Sequence, residues 1–343
     1  MTAKPQAASR SGDRTVEMSP FVRWMRRNAL QIGIFFIAIL IWLVFVIFAN
    51  GAFLSAPIYN SFMSTTPFFA LMALPLTLLV IAKDIDLSFP SIMAWGMVLY
   101  STVFALTGST FLGLLACLAA GILAGWLNGW IVVKVGIPSL VATLGTSFFW
   151  AGVVLVLQSG SGRSLVAAKG SVIDIALTGR IEIGQVQIPM QFVWTIIIAV
   201  VMWLLLNRHR FGAHVYLVGD NQESARLMGV NADRVRIMCF VLVGMVAAFA
   251  GLVQSLELSY FWPTMGQGGG TLLQTLASVF LGGTSVFGGT GTIFGTFVGA
   301  FIIGSINAGV VAMNISGFWT QLVYGLIIVV SVGLQTVLSR RLR

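Results

Sequence analysis

The chain is 343 residues long, 58% hydrophobic and only 8% charged, with 19 Lys and Arg against 10 Asp and Glu and a formal net charge of +9. Soluble domains carry charge on roughly a quarter of their residues, so water cannot be the solvent for most of this surface and lipid must be. The cations stand in short segments between apolar runs and at the termini, the pattern of a membrane protein, which argues against nucleic acid as the reason for the surplus charge.

In chain order, residues 1–28 are polar and basic, with Lys4, Arg10, Arg14, Arg23, Arg26 and Arg27 against Asp13 and Glu17. They read as a cytoplasmic tail ahead of the apolar run Leu30–Ala49, whose length of about 20 residues exceeds a signal-peptide core and matches a retained membrane helix. Further uncharged runs follow at Ser61–Ala82, Pro90–Leu106, Thr110–Val133, Ser139–Leu157 and Met190–Leu206. Beyond residue 236 come Ile237–Leu256, Leu272–Phe287, Gly291–Ala312 and Phe318–Leu338. The expectation is an all-α integral membrane protein of about ten transmembrane helices with both termini cytoplasmic.

Charge supports that threading. It places sixteen of the nineteen Lys and Arg inside, and leaves only Arg163, Lys169 and Arg180, all in the polar loop 159–189, outside. The domain reading is a tail over 1–28, one membrane domain over 29–339 and a basic tail over 340–343. Five spans before and five after segment 208–236 permit an inverted repeat. Cys117 and Cys239 fall inside apolar runs and read as small buried hydrophobes. Gly291, Gly295, Gly299, Gly304 and Gly309 crowd a late span; such residues let helix backbones approach closely, within the bundle or at a dimer interface.

No catalytic set is visible. The glycine run Gly282–Gly291 lacks the lysine of a phosphate-binding loop, and His209 and His214 have no metal-site context. A membrane-embedded enzyme would need a clustered set of reactive groups that the sequence does not offer. Three interruptions of the apolar pattern carry the functional interest instead.

The first is Ala82–Ser91, AKDIDLSFPS. Charges near bilayer depth are expensive, so Asp84 and Asp86 must face water, a cavity or a partner; Pro90 suits the first turn of a new helix and Ser88 can cap it. Either this is a cytoplasmic turn in which Lys83 pairs with Asp84 or Asp86, or it belongs to a pathway or gate. The uncharged polar residues Asn128, Gln274 and Asn307 in apolar spans are further pathway candidates, with helix–helix hydrogen bonding as the alternative.

The second interruption, Leu281–Thr292, has five glycines in twelve residues, too many for a stable helix. It reads as a tight turn or as a close backbone approach at a gate.

The third is the polar segment Arg208–Arg236, which holds both histidines, five basic and three acidic residues. Within it Asp220 and Glu223 form a capping-box-like pair and Gly229 a C-terminal stop, which predicts a helix of about two turns, too short to stand alone in water. Ala225, Leu227 and Met228 give it small and apolar contact groups, so it is expected to dock against a partner. The charged ends, Arg208 to Arg210 and Arg234 to Arg236, are expected at the bilayer surface.

With these residues in view the chain resembles permeases of the branched-chain amino acid and sugar importer family, and among them those of the ribose, xylose and galactose type. Ile85–Ala94 is similar to the family's G-I-D-L-S-V-G-S segment, Val218–Asn231 to its G-x-N-x-x-A-A-x-x-x-G-I loop, and Val279–Gly304 to its L-G-G-T-S-x-x-G-G-x-G-x-x-x-G-T segment. Lys83-Asp84 stand where small residues are usual, and Phe89-Pro90 where Val-Gly is usual.

The resemblance implies a dimer of ten-span subunits of the type II importer kind in a bacterial inner membrane. Cytoplasmic ATPase subunits that hold ATP and magnesium would dock below, and a periplasmic solute-binding protein above, with no cofactor on this chain. It makes Asn221 to Met228 the coupling helix, with Asn221, Glu223, Ser224, Ala225, Arg226, Leu227 and Met228 between Asp220 and Gly229. The implied activity is ATP-driven import of a sugar-like polar solute by alternating access. The rival class is a stand-alone secondary transporter or channel, against which stands the near absence of acidic or histidine relays in the spans.

Overall fold

The structure, a computed structural model, describes residues 29–341 apart from positions 50, 185, 268, 269 and 315. The basic tail 1–28 lies outside the described residues. The chain is mostly helical, and its centre is α3 (Pro67–Ile81), in which every residue from Phe69 to Ile81 is buried. A helix apolar on all sides belongs inside a bundle. Its Thr77 hydroxyl shares a 2.6 Å hydrogen bond with Thr296 of α13 (Ile293–Ala312).

Against α3 packs the long α11 (Ala232–Glu257), which also touches α4 (Phe89–Thr107) and α5 (Thr110–Trp130, continued by a π-helical turn, Ile131–Val135). The α5–α11 crossing is nearly backbone to backbone. A methyl group on Gly121 would strike the Gly244 carbonyl, one on Gly125 the Phe240 carbonyl, and one on Gly244 the Gly121 carbonyl. Spacing by four puts these glycines on one face, where small residues let helices close up.

Around this core stand α1 (Ala29–Phe48), α6 (Ser139–Gln158), α8 (Met190–Asn207) and α14 (Phe318–Arg341). Their outward side chains are large and apolar, Phe36, Phe148, Val156, Val201 and Val329 among them. Water would penalise such a surface and hydrocarbon does not. Among the described residues, six helices are long and apolar enough to cross a bilayer, and a seventh span results if the bent pair α2 (Ala56–Thr65) and α3 is taken as one.

Two expected spans differ from the structure. Ser61–Ala82 is broken by a bend of 47° at Thr66, where Pro67 opens the second helix. Leu272–Phe287 is helical only as α12 (Thr271–Leu281), whose eleven residues, at about 1.5 Å each, fall well short of a hydrocarbon core of about 30 Å. The glycine-rich turn ends it.

The polar stretches gather at two ends. At one end, loop 159–189 holds α7 (Val172–Thr178) and a hairpin of β2 (Arg180–Ile183) with β3 (Val186–Pro189), while β1 (Arg163–Ser164) pairs with β4 (Tyr260–Phe261). At the other lie loop 82–88, the glycine turn and the segment 208–236. In that segment α9 (Arg210–Asp220), which was not expected, precedes the expected short helix, α10 (Gln222–Leu227), and both lead into α11. Cys117 and Cys239 are buried and unpaired, as expected.

The late glycines serve packing within the chain: Gly295 abuts Gly282, Gly299 abuts Ser278, Gly304 abuts Thr66 and Gly309 abuts Phe45. The backbone-to-backbone contact at α5–α11 gives a direct test. Gly121→Leu is expected to cost at least the 1–3 kcal/mol typical of overpacking, about, seen as a lower melting temperature in detergent. Gly145→Leu, on the open face of α6 with nothing within 4 Å of the added carbon, should leave it unchanged.

Candidate functional site

The three segments singled out in the sequence meet at the C-terminal end of α3. Its last carbonyl, that of Ile81, accepts the Gly289 N–H at 2.9 Å from the glycine turn. The same carbonyl faces Gly219 of α9 so closely that any side chain there would collide with it. Gly288 and Gly289 both take left-handed backbone conformations, φ 78° and 73°, which is what this turn requires of glycine. Tyr216 of α9 closes the contact by donating its hydroxyl to the Gly291 carbonyl at 2.7 Å.

Loop 82–88 fans its charges outward from this point. Lys83, at φ 68°, extends its Nζ to the Asp220 carbonyl at 2.7 Å. Asp84 takes two hydrogen bonds from Arg236, Nε to Oδ2 at 2.6 Å and Nη2 to Oδ1 at 2.8 Å. The expected pairing of Lys83 with Asp84 or Asp86 is therefore not formed. Arg236, expected at the bilayer surface, turns inward, because a carboxylate 3% exposed needs a cation and Arg236 is the one within reach.

Asp86 is fully buried and accepts from the Ser88 N–H at 2.7 Å, the Ser88 hydroxyl at 2.6 Å and Asn128 Nδ2 at 3.2 Å. Burial pushes this carboxyl up, and the Ser88 and Asn128 hydrogen bonds oppose the rise. Asn128 Nδ2 also donates to the Ser88 hydroxyl at 2.6 Å. Ser88 begins α4, but its hydroxyl serves Asp86 and makes no capping bond; Pro90 lies in the first turn as expected. Ser139 and Thr143 of α6 accept the Ile85 and Leu87 N–H groups, so the loop is pinned on several sides.

In the expected docking helix, the cap is Asn221, whose Oδ1 accepts from the Ser224 N–H at 2.9 Å, and not Asp220. Asp220 is the last residue of α9, and Glu223 stands only two positions after the true cap. Gly229, at φ 81°, follows as the stop. Ala225 is buried against the protein, whereas Leu227 is 87% and Met228 61% exposed. Arg226 and Lys134 share Asp233, at 2.6 and 2.8 Å, which ties α10 and the end of α5 to the start of α11.

The structure thus brings Asp84, Asp86, Ser88 and Asn128 together beside Asp220 to Gly229. It does not bring Gln274 and Asn307 there. They line a separate cavity of about 420 Å³ towards the other end, with Thr65, Gln254, Trp262 and Thr264. Gln254 Oε1 is buried in that region without a hydrogen-bond partner among the described residues. Tyr216, Gln254 and Trp262 escaped the sequence reading, and Arg236 was expected at the bilayer surface instead. Gln254 alone had a signal of the kind used for Asn128, a polar residue inside an apolar span.

Apolar helices exposed to lipid on their outer faces and a polar joint at one end define a multi-pass membrane protein. The sequence model described as branched-chain amino acid transport system / permease component matches residues 58–332, and the chain belongs to that family. It is 32% identical over 265 residues to the ribose import permease protein RbsC of Escherichia coli K12, covering 77% of this chain and 80% of that one. It is 31% identical over 293 residues to the autoinducer 2 import system permease protein LsrC of Salmonella typhi, covering 85% and 82%. No solved structure matches. The chain is a transmembrane permease subunit of an ATP-driven importer, a transport component and not an enzyme.

The ion pair gives the sharpest test of the joint. Asp84→Asn strands a largely buried guanidinium and is expected to cost about 3–5 kcal/mol, read as a fall in thermal stability. The double variant Asp84→Asn/Arg236→Gln should recover part of the loss, since no buried charge is then left unpaired.

Proposed function

We propose that the chain forms the membrane pathway for a sugar or sugar-like small polar solute. It would move that solute by alternating access, with ATP and magnesium handled on a separate cytoplasmic ATPase subunit. The observation that carries this reading is the meeting of loop 82–88, the α9–α10 corner and the glycine turn at the end of α3. A partner pressing on α10 presses on Asp233 through Arg226, and on α3 through the corner at Gly219 and Lys83. Residues Asn221 to Met228 form the coupling helix in this reading. Its exposed Leu227 is the contact group, since burying one such side chain is worth about 1.5–3 kcal/mol.

The cavity supports the solute class. It is lined by amides, hydroxyls and the aromatic rings of Phe68, Phe69 and Trp262, and among the described residues no ionisable side chain lines it. An amino acid would leave its ammonium and carboxylate unanswered there. A neutral polyol can exchange hydrogen bonds with Gln254, Gln274 and Asn307 and lay its C–H faces on Trp262. Its volume lies in the range of small-molecule sites, and the ribose and autoinducer 2 names of the relatives agree with it. We assign Gln274 and Asn307 to solute contact, and Asp84, Asp86, Ser88 and Asn128 to the gate at the opposite end of α3.

The joint end holds Lys83, Lys134, Arg208, Arg210, Arg226, Arg234 and Arg236, and the other end Arg163, Lys169 and Arg180. That asymmetry supports a cytoplasmic joint, a periplasmic loop 159–189, about ten crossings and both termini cytoplasmic, in a bacterial inner membrane. A periplasmic solute-binding protein and a second permease subunit complete the proposed type II assembly.

Reconstitution with the ATPase and solute-binding subunits tests the reading. ATP-dependent uptake is expected, and Leu227→Asp should lower both uptake and ATPase stimulation by about tenfold or more with membrane insertion intact. Gln254→Ala/Gln274→Ala should lower uptake while the ATPase still assembles. Uptake by the chain alone, driven by a proton or sodium gradient, would overturn it.

A further inference from the structure

A second concavity, of about 530 Å³, opens between the end of α8, the start of α9 and the first turns of α11. On α11 it is bounded by Asn231, Arg234, Val235, Met238 and Leu242, a single helical stripe. Asp233, Arg236 and Phe240 fall on the opposite side of the same helix, where the joint is. Apart from Gly229, which borders both, the groove lies away from the joint, and Arg226 draws α10 towards that other side.

Its floor is apolar, from Leu205 and Phe211 to Met238 and Leu242, and its rim is basic, with His209, Arg210, His214 and Arg234. Among the described residues, no acidic side chain lines it. Among the described residues, the four ion pairs engage neither Arg210 nor Arg234.

The groove also sits at a recognisable depth. It begins where the apolar span Met190–Asn207 ends. Trp203, 40% exposed in the last turns of that span, lies 5.6 Å beneath the Arg208 guanidinium. A tryptophan with a cation over its ring marks the level where hydrocarbon gives way to headgroups. Met238, 45% exposed, continues the floor onto the outward surface of α11.

An apolar floor open to hydrocarbon beneath an unneutralised basic rim matches one kind of molecule. We propose that this groove holds an anionic phospholipid, with its phosphate between Arg210 and Arg234 and an acyl chain along Met238 and Leu242.

The test uses the purified chain in a neutral detergent, titrated with phosphatidylglycerol, phosphatidylcholine or inorganic phosphate, with the melting temperature and co-bound lipid mass as readouts. Phosphatidylglycerol should raise the melting temperature and remain bound, because a ligand of the folded state stabilises it. Phosphatidylcholine and phosphate should not. Arg210→Gln/Arg234→Gln should lose the rise and the bound mass, and Lys169→Gln, at the other end, should keep both. If the double variant folds poorly, each single variant should show a partial loss.

An equal response to phosphatidylcholine, or a rise retained in the arginine variants, overturns the proposal. Reproduction of the rise by phosphate alone replaces it with a free-anion site. Loss of ATPase association with an unchanged lipid response makes the groove an ATPase contact.

Discussion

Asp84 and Arg236 meet in a two-pronged ion pair that is almost closed to solvent, and two chains of hydrogen bonds start from it. On the aspartate side, fixing loop 82–88 sets Asp86 against Ser88 and Asn128 and so fixes the start of α4 on α5. On the arginine side, fixing the first turns of α11 sets Asp233 for Lys134 and Arg226, and through Arg226 the short helix α10. Neither charge is tolerable at that depth without the other. The pair therefore specifies how two parts of the chain 152 residues apart are placed.

The polar groups of the interior are divided between two places of different character. The joint at the end of α3 is dense with charge, and its buried acids Asp84 and Asp86 are hydrogen-bonded, though Asn128 Oδ1 beside them has no partner among the described residues. The cavity beyond the Thr66 bend is uncharged, and there Gln254 Oε1 and the nearby Thr66 hydroxyl lack partners among the described residues. Satisfied networks hold a geometry, and unsatisfied acceptors are where a ligand gains most. In the proposed reading the first place handles force and the second handles solute, and α3 is the rod between them.

Much of this was legible in the residues. The uncharged runs mark where apolar helices lie, because lipid admits little else, and the three interruptions are the three segments that meet. Details resting on neighbours distant in sequence were not legible. Asp220 and Asn221 are both good caps side by side, and nothing local shows that α9 continues through Asp220 so that the duty falls to Asn221. Arg236 reads as a surface cation until the fold sets Asp84 beside it. Asn128, Gln274 and Asn307 look alike as polar residues in apolar spans, yet one joins the buried acid and two line the cavity. Hydropathy also passes smoothly across Thr66 and Pro67, so the bend there leaves no mark in the pattern.

The approach of Gly219 to the Ile81 carbonyl has a mechanical consequence. Most packed surfaces are cushioned by side chains that change rotamer under load and absorb small displacements. Here α9 and α3 touch main chain to main chain, and the Gly289 N–H is bonded to the same carbonyl. A contact without side chains has almost no compliance, so a displacement of α9 reaches α3 nearly undiminished. The joint behaves as a bearing rather than a spring, and its stiffness rests on a residue with no side chain.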